Sequence, residues 1–405
     1  MFTALSTFNK YRGLKFVNRE KLREYQKKKL NAHLDIVTKT IPFYNDYKGK
    51  SLWDFPIMDK ALFVDNFSRL NALEIPIEQA LEFAIKAEET RDFAPKLKGV
   101  TVGLSSGTSG KRCAFLVSDK ETEMWVGYVL AKMIPDLLLK PKRRKIAFCM
   151  RANSNLYKKL NSKFIEFKFI DIYNPNYKDT EGCDILVGQP SFLLEVAHNS
   201  NCRPQQVISI AEVLPSDIET ILLGHFKVDY IDQVYQCTEG CLAIKKNGVF
   251  RLNEDIVFFE REYIDEHRFI PIVTDFTRIT QPIIRYRMND ILVNGDEEGT
   301  ISQIEGRMDD VFRFTSVSGD KQVCVYPDHI RRCFLLSTDT PNYRVELTDK
   351  ITIYANLSRF EVEAIKYHFN KLSKDLGFVL PEIIIKSYTK VEGKLRRVIN
   401  LRGDK

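Results

Sequence analysis

Residues Leu104-Ser105-Ser106-Gly107-Thr108-Ser109-Gly110-Lys111-Arg112 gather hydroxyl side chains, two glycines and two cations in one short stretch. Glycine lets a backbone approach a bound anion closely, and successive N–H groups with hydroxyls can ring phosphate oxygens. Lys111 and Arg112 add positive charge. The Walker spacing GxxxxGK[ST] is absent. A plain strand-to-helix connection would account for the glycines, but poorly for the hydroxyls and cations gathered with them. Upstream, Val100–Leu104 reads as a short apolar strand. Downstream, Ser118 and Glu121 form a capping box for a helix running toward Leu139.

Outward from this stretch, strand and helix patterns alternate. Ile146–Met150, Phe164–Ile172, Asp184–Gly188, Val207–Val213 and Val228–Tyr235 are strand candidates. Helices start at Pro190-Ser191 and at Ser216, with Glu219 completing a cap. Such alternation predicts an α/β sheet with helices packed on it. KPKRRK (140–145) reads as an exposed connector. After Gly240 the texture changes to short β runs, with Asn247-Gly248 and Asn294-Gly295 as hairpin signals. Residues 1–95 look helical, with an amphipathic helix from Asn18 to Val37 and another from Asp59 to Leu73. The last part restarts as strand (Arg344–Tyr354), helix (Arg359–Leu376) and strand (Glu382–Tyr388), a βαβ-like unit with a basic ending. The expected division is 1–95, 96–308 and 309–405.

A chain of 405 residues is long enough for two domains. Its 44% hydrophobic and 28% charged residues exclude a disordered or fibrous protein. The net charge of +7 is too mild to name a nucleic-acid partner. Residues 311–405 nevertheless hold 17 Lys+Arg against 11 Asp+Glu, so the surplus is concentrated there. The eight cysteines lack paired CxxC spacing and read as reduced core thiols of a cytoplasmic protein. Cys237 and Cys241 have no companion ligands, and His198 and His225 have no paired nucleophile, so packing or capping roles are expected. No apolar run reaches the roughly 18–20 residues of a membrane helix, and no signal-peptide core opens the chain.

The stretch SSGTSGKR resembles the phosphate-binding signature of the adenylate-forming superfamily, which includes acyl-CoA synthetases. VGLSSGTSG, RANSNLY, YQCTEG and TQPIIRYRMNDIL resemble its phenylacetate–CoA ligase branch, the short CapK-like proteins in particular. The resemblance runs from about residue 40 to the end. It implies a large N-terminal adenylate-forming domain of layered α/β sheets plus a β subdomain. A small mobile α+β C-terminal domain would follow.

The same resemblance assigns residues. Ser105, Ser106, Gly107, Thr108, Ser109, Gly110, Lys111 and Arg112 would hold the ATP phosphates. Tyr235-Gln236-Cys237-Thr238-Glu239 resembles a YGxTE element, with Gln236 replacing glycine. Tyr235 and Gln236 would lie beside the adenine, Thr238 near the α-phosphate, and Glu239 on Mg²⁺. Ala211-Glu212 would line the adenine pocket. Asp290, in a departure from YRTGD, would accept from the ribose hydroxyls. Gly306-Arg307-Met308-Asp309-Asp310 resembles the GRxDD hinge, with Arg307 on the nucleotide and Asp309 or Asp310 as pivot. Glu392-Gly393-Lys394 resembles the C-terminal GK motif, so Lys394 would bridge acid and nucleotide. Each of these has an ordinary reading too: a surface carboxylate for Glu239, a turn residue for Asp290, a solvated basic tail around Lys394. Arg151–Asn155 follows a strand end and is a candidate for the acceptor pocket, or a plain loop.

The expected chemistry is ATP- and Mg²⁺-dependent adenylation of a small carboxylic acid with release of pyrophosphate. Transfer to CoA, an amine or a carrier-protein thiol would follow. AMP transfer to a hydroxyl, and a non-catalytic nucleotide-binding protein, are the alternatives. Neither nucleic acid nor a membrane is expected as partner, and a homodimer is implied by the branch. The basic surplus after residue 311 then reads as charge facing a polyphosphate.

Overall fold

The computed structural model describes residues 2–105, 113–138, 143–150, 164–338, 340–389 and 396–402. Four helices open the chain: α1 (Phe2–Arg12), α2 (Arg19–Thr40), α3 (Lys60–Asp65) and α4 (Ile77–Thr90). The Asn18 side chain caps α2 by accepting from Lys21 N, and Leu22, Gln26, His33, Leu34 and Val37 form its buried face. Asp59 caps α3 as expected, but that helix stops at Asp65 instead of reaching Leu73. Asn66 leaves helical geometry and turns its amide back onto Leu62 O at 2.9 Å. Phe67 and Leu70 are then buried from turns.

The expected strand near residue 100 forms β1 (Thr101–Leu104), but a helix does not follow directly. Residues 114–117 make a second strand, β2 (Ala114–Val117), antiparallel to it with Leu104 opposite Ala114. A Cβ at Gly103 would sit 2.3 Å from the Phe115 ring, which would have to move to admit it. Ser118 and Glu121 cap α5 (Asp119–Met133) reciprocally, as their spacing predicts. This helix ends short of Leu139, since Ile134 precedes Pro135 and leaves the helical region.

The central sheet has seven strands in the order β4-β3-β5-β6-β7-β8-β9. They are β3 (Arg144–Met150), β4 (Ile165–Asp171), β5 (Ile185–Gly188), β6 (Gln206–Ile210), β7 (Ile231–Cys237), β8 (Gly240–Lys246) and β9 (Val249–Leu252). The first five positions pair parallel and the last three antiparallel. Alternate residues face opposite cores, which is why these strands read as continuous apolar runs. Ile185, Val187 and Ile208 join one core with Tyr128 and Ala131 of α5. Leu186, Val207 and Cys149 join the other with α6 (Pro190–Asn199) and α7 (Ser216–Phe226).

Several local expectations change here. Arg144 and Lys145 belong to β3, not to an exposed connector, and Arg144 is buried against Asp136 and Gln205. Pro215 is the N-cap of α7, so Ser216 is already helical, and Glu219 pairs with Lys245. Asn247 and Gly248 both have positive φ (50° and 83°), as a two-residue β8–β9 turn requires.

An antiparallel sheet follows, β10 (Val257–Tyr263), β11 (Arg268–Asp275), β13 (Asp290–Asn294) and β14 (Ile301–Arg307) in that order, with β12 (Tyr286–Arg287) beside β11. Asn294-Gly295 is not a two-residue hairpin. The β13–β14 register shifts at Asn294, and the longer loop closes through Gly295 N on Thr300 O.

Beyond Asp310 a separate core gathers Phe312, Phe334, Val345, Ile353, Phe369 and Val398. Its elements are β15 (Phe312–Thr315), β16 (Gln322–Val325), α8 (Pro327–Leu335), β17 (Tyr343–Leu347), β18 (Ile351–Ala355), α9 (Arg359–Leu376), β19 (Ile383–Lys386) and β20 (Val398–Asn400). The sheet order is β19-β18-β17-β20, and β18–α9–β19 is a parallel βαβ unit. Arg344–Tyr354 is thus a hairpin, not one strand, turning at Thr348–Lys350. This lobe meets the rest where Pro327 covers Gly306, Arg331 donates to Glu305 O, and Arg268 lies 4.6 Å over Tyr326.

All eight cysteines are free thiols. Cys324 is exposed, against the expectation of core thiols throughout. Among the described residues, no helix is long and apolar enough to cross a membrane.

Candidate functional site

A cleft of about 2870 Å³ opens along the carboxyl ends of the parallel strands. Open α/β sheets place ligands at such an edge. Its size, well above the roughly 300–1,000 Å³ of a small-molecule pocket, marks an extended groove. Ser105, Ala211, Glu212, Tyr235, Gln236, Thr238, Glu239, Asp290, Arg307, Asp309 and Asp310 all line it. Every candidate residue that falls within the described residues is therefore on one surface. Ser106, Gly107, Thr108, Ser109, Gly110, Lys111, Arg112 and Lys394, with Arg151–Asn155, lie outside the described residues.

The end of β7 builds the centre. Tyr235 is buried and donates its hydroxyl to Asp290 Oδ2 at 2.5 Å. Burial and the neighbouring Asp290 carboxylate push the phenol pKa well above its ordinary value. Asp290, at the start of β13, also faces Arg307 Nε at 3.6 Å. Three residues from separate motifs thus form one cluster. Gln236, which stands where the related element has glycine, accepts from Trp125 Nε1 of α5 at 2.6 Å.

Thr238 and Glu239 occupy the turn between β7 and β8, with Thr238 Oγ1 donating to Glu239 Oε2 at 2.9 Å. Among the described residues, no group of three or more His, Cys, Asp and Glu side chains could hold a metal. One carboxylate and one hydroxyl are hard oxygen donors. They fit a cation such as Mg²⁺ that takes the rest of its shell from phosphates and water. Gly240 is needed next to them: at φ +156°, a Cβ would lie 2.8 Å from Asp275 Oδ2.

Ala211 ends β6 in the left-handed region (φ 68°), which truncates the strand expected to run to Val213. Its neighbour Glu212 accepts from Ser191 N at the start of α6 at 3.4 Å. Where β1 meets β2, Ser105 N donates to Cys113 O, and Ser105 Oγ accepts from Cys113 N at 2.9 Å. That hydroxyl is spent on closing the hairpin.

Before β15, Asn289 Nδ2 donates to Asp309 Oδ2 at 2.6 Å, so the Met-Asn departure supplies a partner for the turn. Asp310 is buried and paired with Arg396. Burial raises the Asp310 carboxyl pKa, although Arg396 opposes that shift.

Sequence reasoning missed Arg278, Gln281 and the second role of Glu121. Arg278 is buried in the loop after β11 and donates to Thr238 O (2.9 Å) and Leu116 O (3.2 Å). Gln281 Oε1 accepts from Leu116 N. Glu121 Oε1 accepts from Ile279 N and Thr280 N while its other oxygen caps α5. Burial would raise the Glu121 carboxyl pKa, but hydrogen bonds from Ser118 and Thr280 outweigh it and hold the carboxyl below its ordinary range. A polar residue inside TRITQPII was the only sequence signal. His198 contacts Leu194 O and His225 contacts Arg203, consistent with packing and capping.

No family model and no curated protein matches the sequence. Solved structures do match the fold. The chain is similar to 2-hydroxyisobutyryl-CoA ligase in the postadenylation state in complex with R3-HIB-AMP. That match has a TM-score of 0.66 and 13% identity over 95% of this chain and 90% of that one. It is similar to the ATP-bound RpMatB-BxBclM chimera B3 at TM-score 0.53, with 14% identity over 70% and 63% of the two chains. A fatty acyl-adenylate ligase, from work on the E. coli and L. pneumophila enzymes, gives TM-score 0.51 and 10% identity over 70% and 65%. The chain has the fold of the adenylate-forming ligases.

Proposed function

We propose that the protein is an ATP- and Mg²⁺-dependent adenylating enzyme of a carboxylic acid, in the phenylacetate–CoA ligase-like, CapK-like branch. One observation carries this reading. Residues from five distant segments, around 105, 211, 235–239, 290 and 307–310, converge on one cleft at the carboxyl ends of the parallel strands. In this reading Tyr235 lies beside the adenine, Asp290 and Arg307, grouped with it, take the ribose end, and Thr238 with Glu239 serve the α-phosphate and its metal.

In this reading the acid's carboxylate oxygen attacks the α-phosphorus of ATP, the α–β bridging bond breaks, and pyrophosphate leaves. Arg307 and Asp290 hold the ribose end, so the reacting atoms meet in line without a search. Lys394 would supply the ammonium that meets the negative charge growing on the α-phosphate. Bound Mg²⁺, held by Glu239, would neutralise phosphate charge. A thiol, as in CoA ligases, or an amine then attacks the acyl carbon of the adenylate, the acyl–oxygen bond to the phosphate breaks, and AMP leaves.

The test is acid-dependent exchange of pyrophosphate into ATP, with hydroxylamine trapping across a panel of carboxylic acids. Exchange that needs both acid and Mg²⁺, and falls about a hundredfold or more in Lys394→Ala, is the expected outcome. A folded wild-type chain that binds ATP but shows no exchange with any acid would refute it. A stable AMP adduct on a phenol or alcohol would point to hydroxyl transfer instead.

A further inference from the structure

The segment after β11 makes more contacts with the candidate site than its sequence advertises. Residues 275–281 touch three elements around the site: the Thr238–Glu239 turn, β2 and the head of α5. Arg278 Nη1 donates to Thr238 O, the carbonyl preceding Glu239, and Nη2 donates to Leu116 O in β2, the strand that leaves the phosphate loop. Gln281 Oε1 takes the N–H of the same Leu116, and the backbone of Ile279 and Thr280 is held by Glu121 at the head of α5. Arg278 and Gln281 are 8% and 0% exposed, so these bonds form out of competition with water.

Burying a guanidinium is costly unless its protons are used. Here its hydrogen-bond acceptors are two neutral carbonyls, one on each element, and its Nε has no partner among the described residues. The buried Asp275 carboxylate lies near enough for the cation to influence its charge, but Asp275 hydrogen-bonds to Thr277 instead. A cation that only filled space would not need this arrangement. A planar fork spanning two carbonyls fixes the spacing between them, which a lysine ammonium on a flexible stem cannot do.

We infer that Arg278 is a positioning residue that sets the Thr238–Glu239 turn against the phosphate-loop hairpin, and so tunes metal-dependent binding of the ATP triphosphate. The inference builds on the adenylation reading and adds to it a residue and a role. Arg278 acts through the backbone of Thr238, not by touching the nucleotide. Second-layer supports of metal ligands change metal affinity by about ten- to a hundredfold when removed.

The experiment is calorimetric titration of the full chain with ATP, in EDTA and then across a Mg²⁺ series, with no acid present. For Arg278→Lys, the Mg²⁺ half-saturation rises about tenfold or more, while metal-free ATP binding stays within about twofold. In a Glu239→Gln background the same substitution adds no more than about twofold, because its effect runs through Glu239. Equal weakening of ATP binding with and without Mg²⁺, or fully independent effects of the two substitutions, would overturn the inference. If Arg278→Lys does not fold, Gln281→Met breaks the other bridge to Leu116 and leaves Thr238 held. It must weaken ATP binding without moving the Mg²⁺ half-saturation, and a shift there overturns the inference. A wild-type chain that binds no ATP would remove the adenylation reading itself, a result distinct from an unaltered Arg278 variant.

Discussion

Gly127 lies inside α5, where glycine costs about 1 kcal/mol relative to alanine. Helix propensity alone therefore says that Gly127→Ala should stabilise. The tertiary structure says the opposite. A Cβ at Gly127 would stand 2.2 Å from Ala4 O and 2.9 Å from Thr7 Cβ, both in α1. A carbon and a carbonyl oxygen settle near 3.3 Å even in close contacts, so α1 must retreat by about 1 Å. Forcing a packed interface open in this way costs about 1–3 kcal/mol. If α1 undocks instead, Phe8 and Tyr11, now 3% and 7% exposed, lose burial. Each large apolar side chain so released costs about 1.5–3 kcal/mol. Set against the propensity gain of about 1 kcal/mol, the cheaper route leaves a net loss of up to about 2 kcal/mol in urea unfolding. Trypsin cleavage at Lys10 and Arg12 should quicken in parallel. Gly224→Ala is the control, because no atom lies within 4 Å of its Cβ position in α7. It should gain up to about 1 kcal/mol. A stabilised Gly127→Ala, matching Gly224→Ala, would refute the packing argument.

Other tests address charge and strain. The folded Glu121 carboxyl titrates below its ordinary value, so its stabilisation is complete above that value and fades as pH falls through the lowered one. Glu121→Gln should therefore cost about 1–3 kcal/mol at neutral pH, with the gap to wild type closing in acid. A gap that stays constant with pH would contradict this. Ala211 holds a left-handed conformation worth about 1–2 kcal/mol of strain, against about 0.4–1 kcal/mol of extra unfolded-state entropy for glycine. Ala211→Gly should raise the midpoint of thermal unfolding, and a lowered midpoint would show that the Ala211 methyl is needed for packing.

Local chemistry was the legible part. The Asn247-Gly248 turn, the Asp59 and Ser118 caps, and the alternating apolar runs depend on a residue and its near neighbours, and the structure keeps them. Boundaries failed where a distant partner or a single backbone angle intervened. Ala211 ends β6 early, Asn66 ends α3 early, and Thr348–Lys350 folds one expected strand into two. β2 was missed because its four residues, Ala114–Val117, form a strand only by pairing with β1.

The sequence by itself determined which residue types stand in each motif, and in what order along the chain. Spacing in the chain carries no distance in space, however, so it could not say that Tyr235, Asp290 and Arg307 form one cluster. Nor could it identify Arg278 or Gln281, whose roles exist only because Leu116 and Thr238 are brought within reach of them. A buried hydrogen bond belongs to two partners at once. Only the folded chain decides who the second one is.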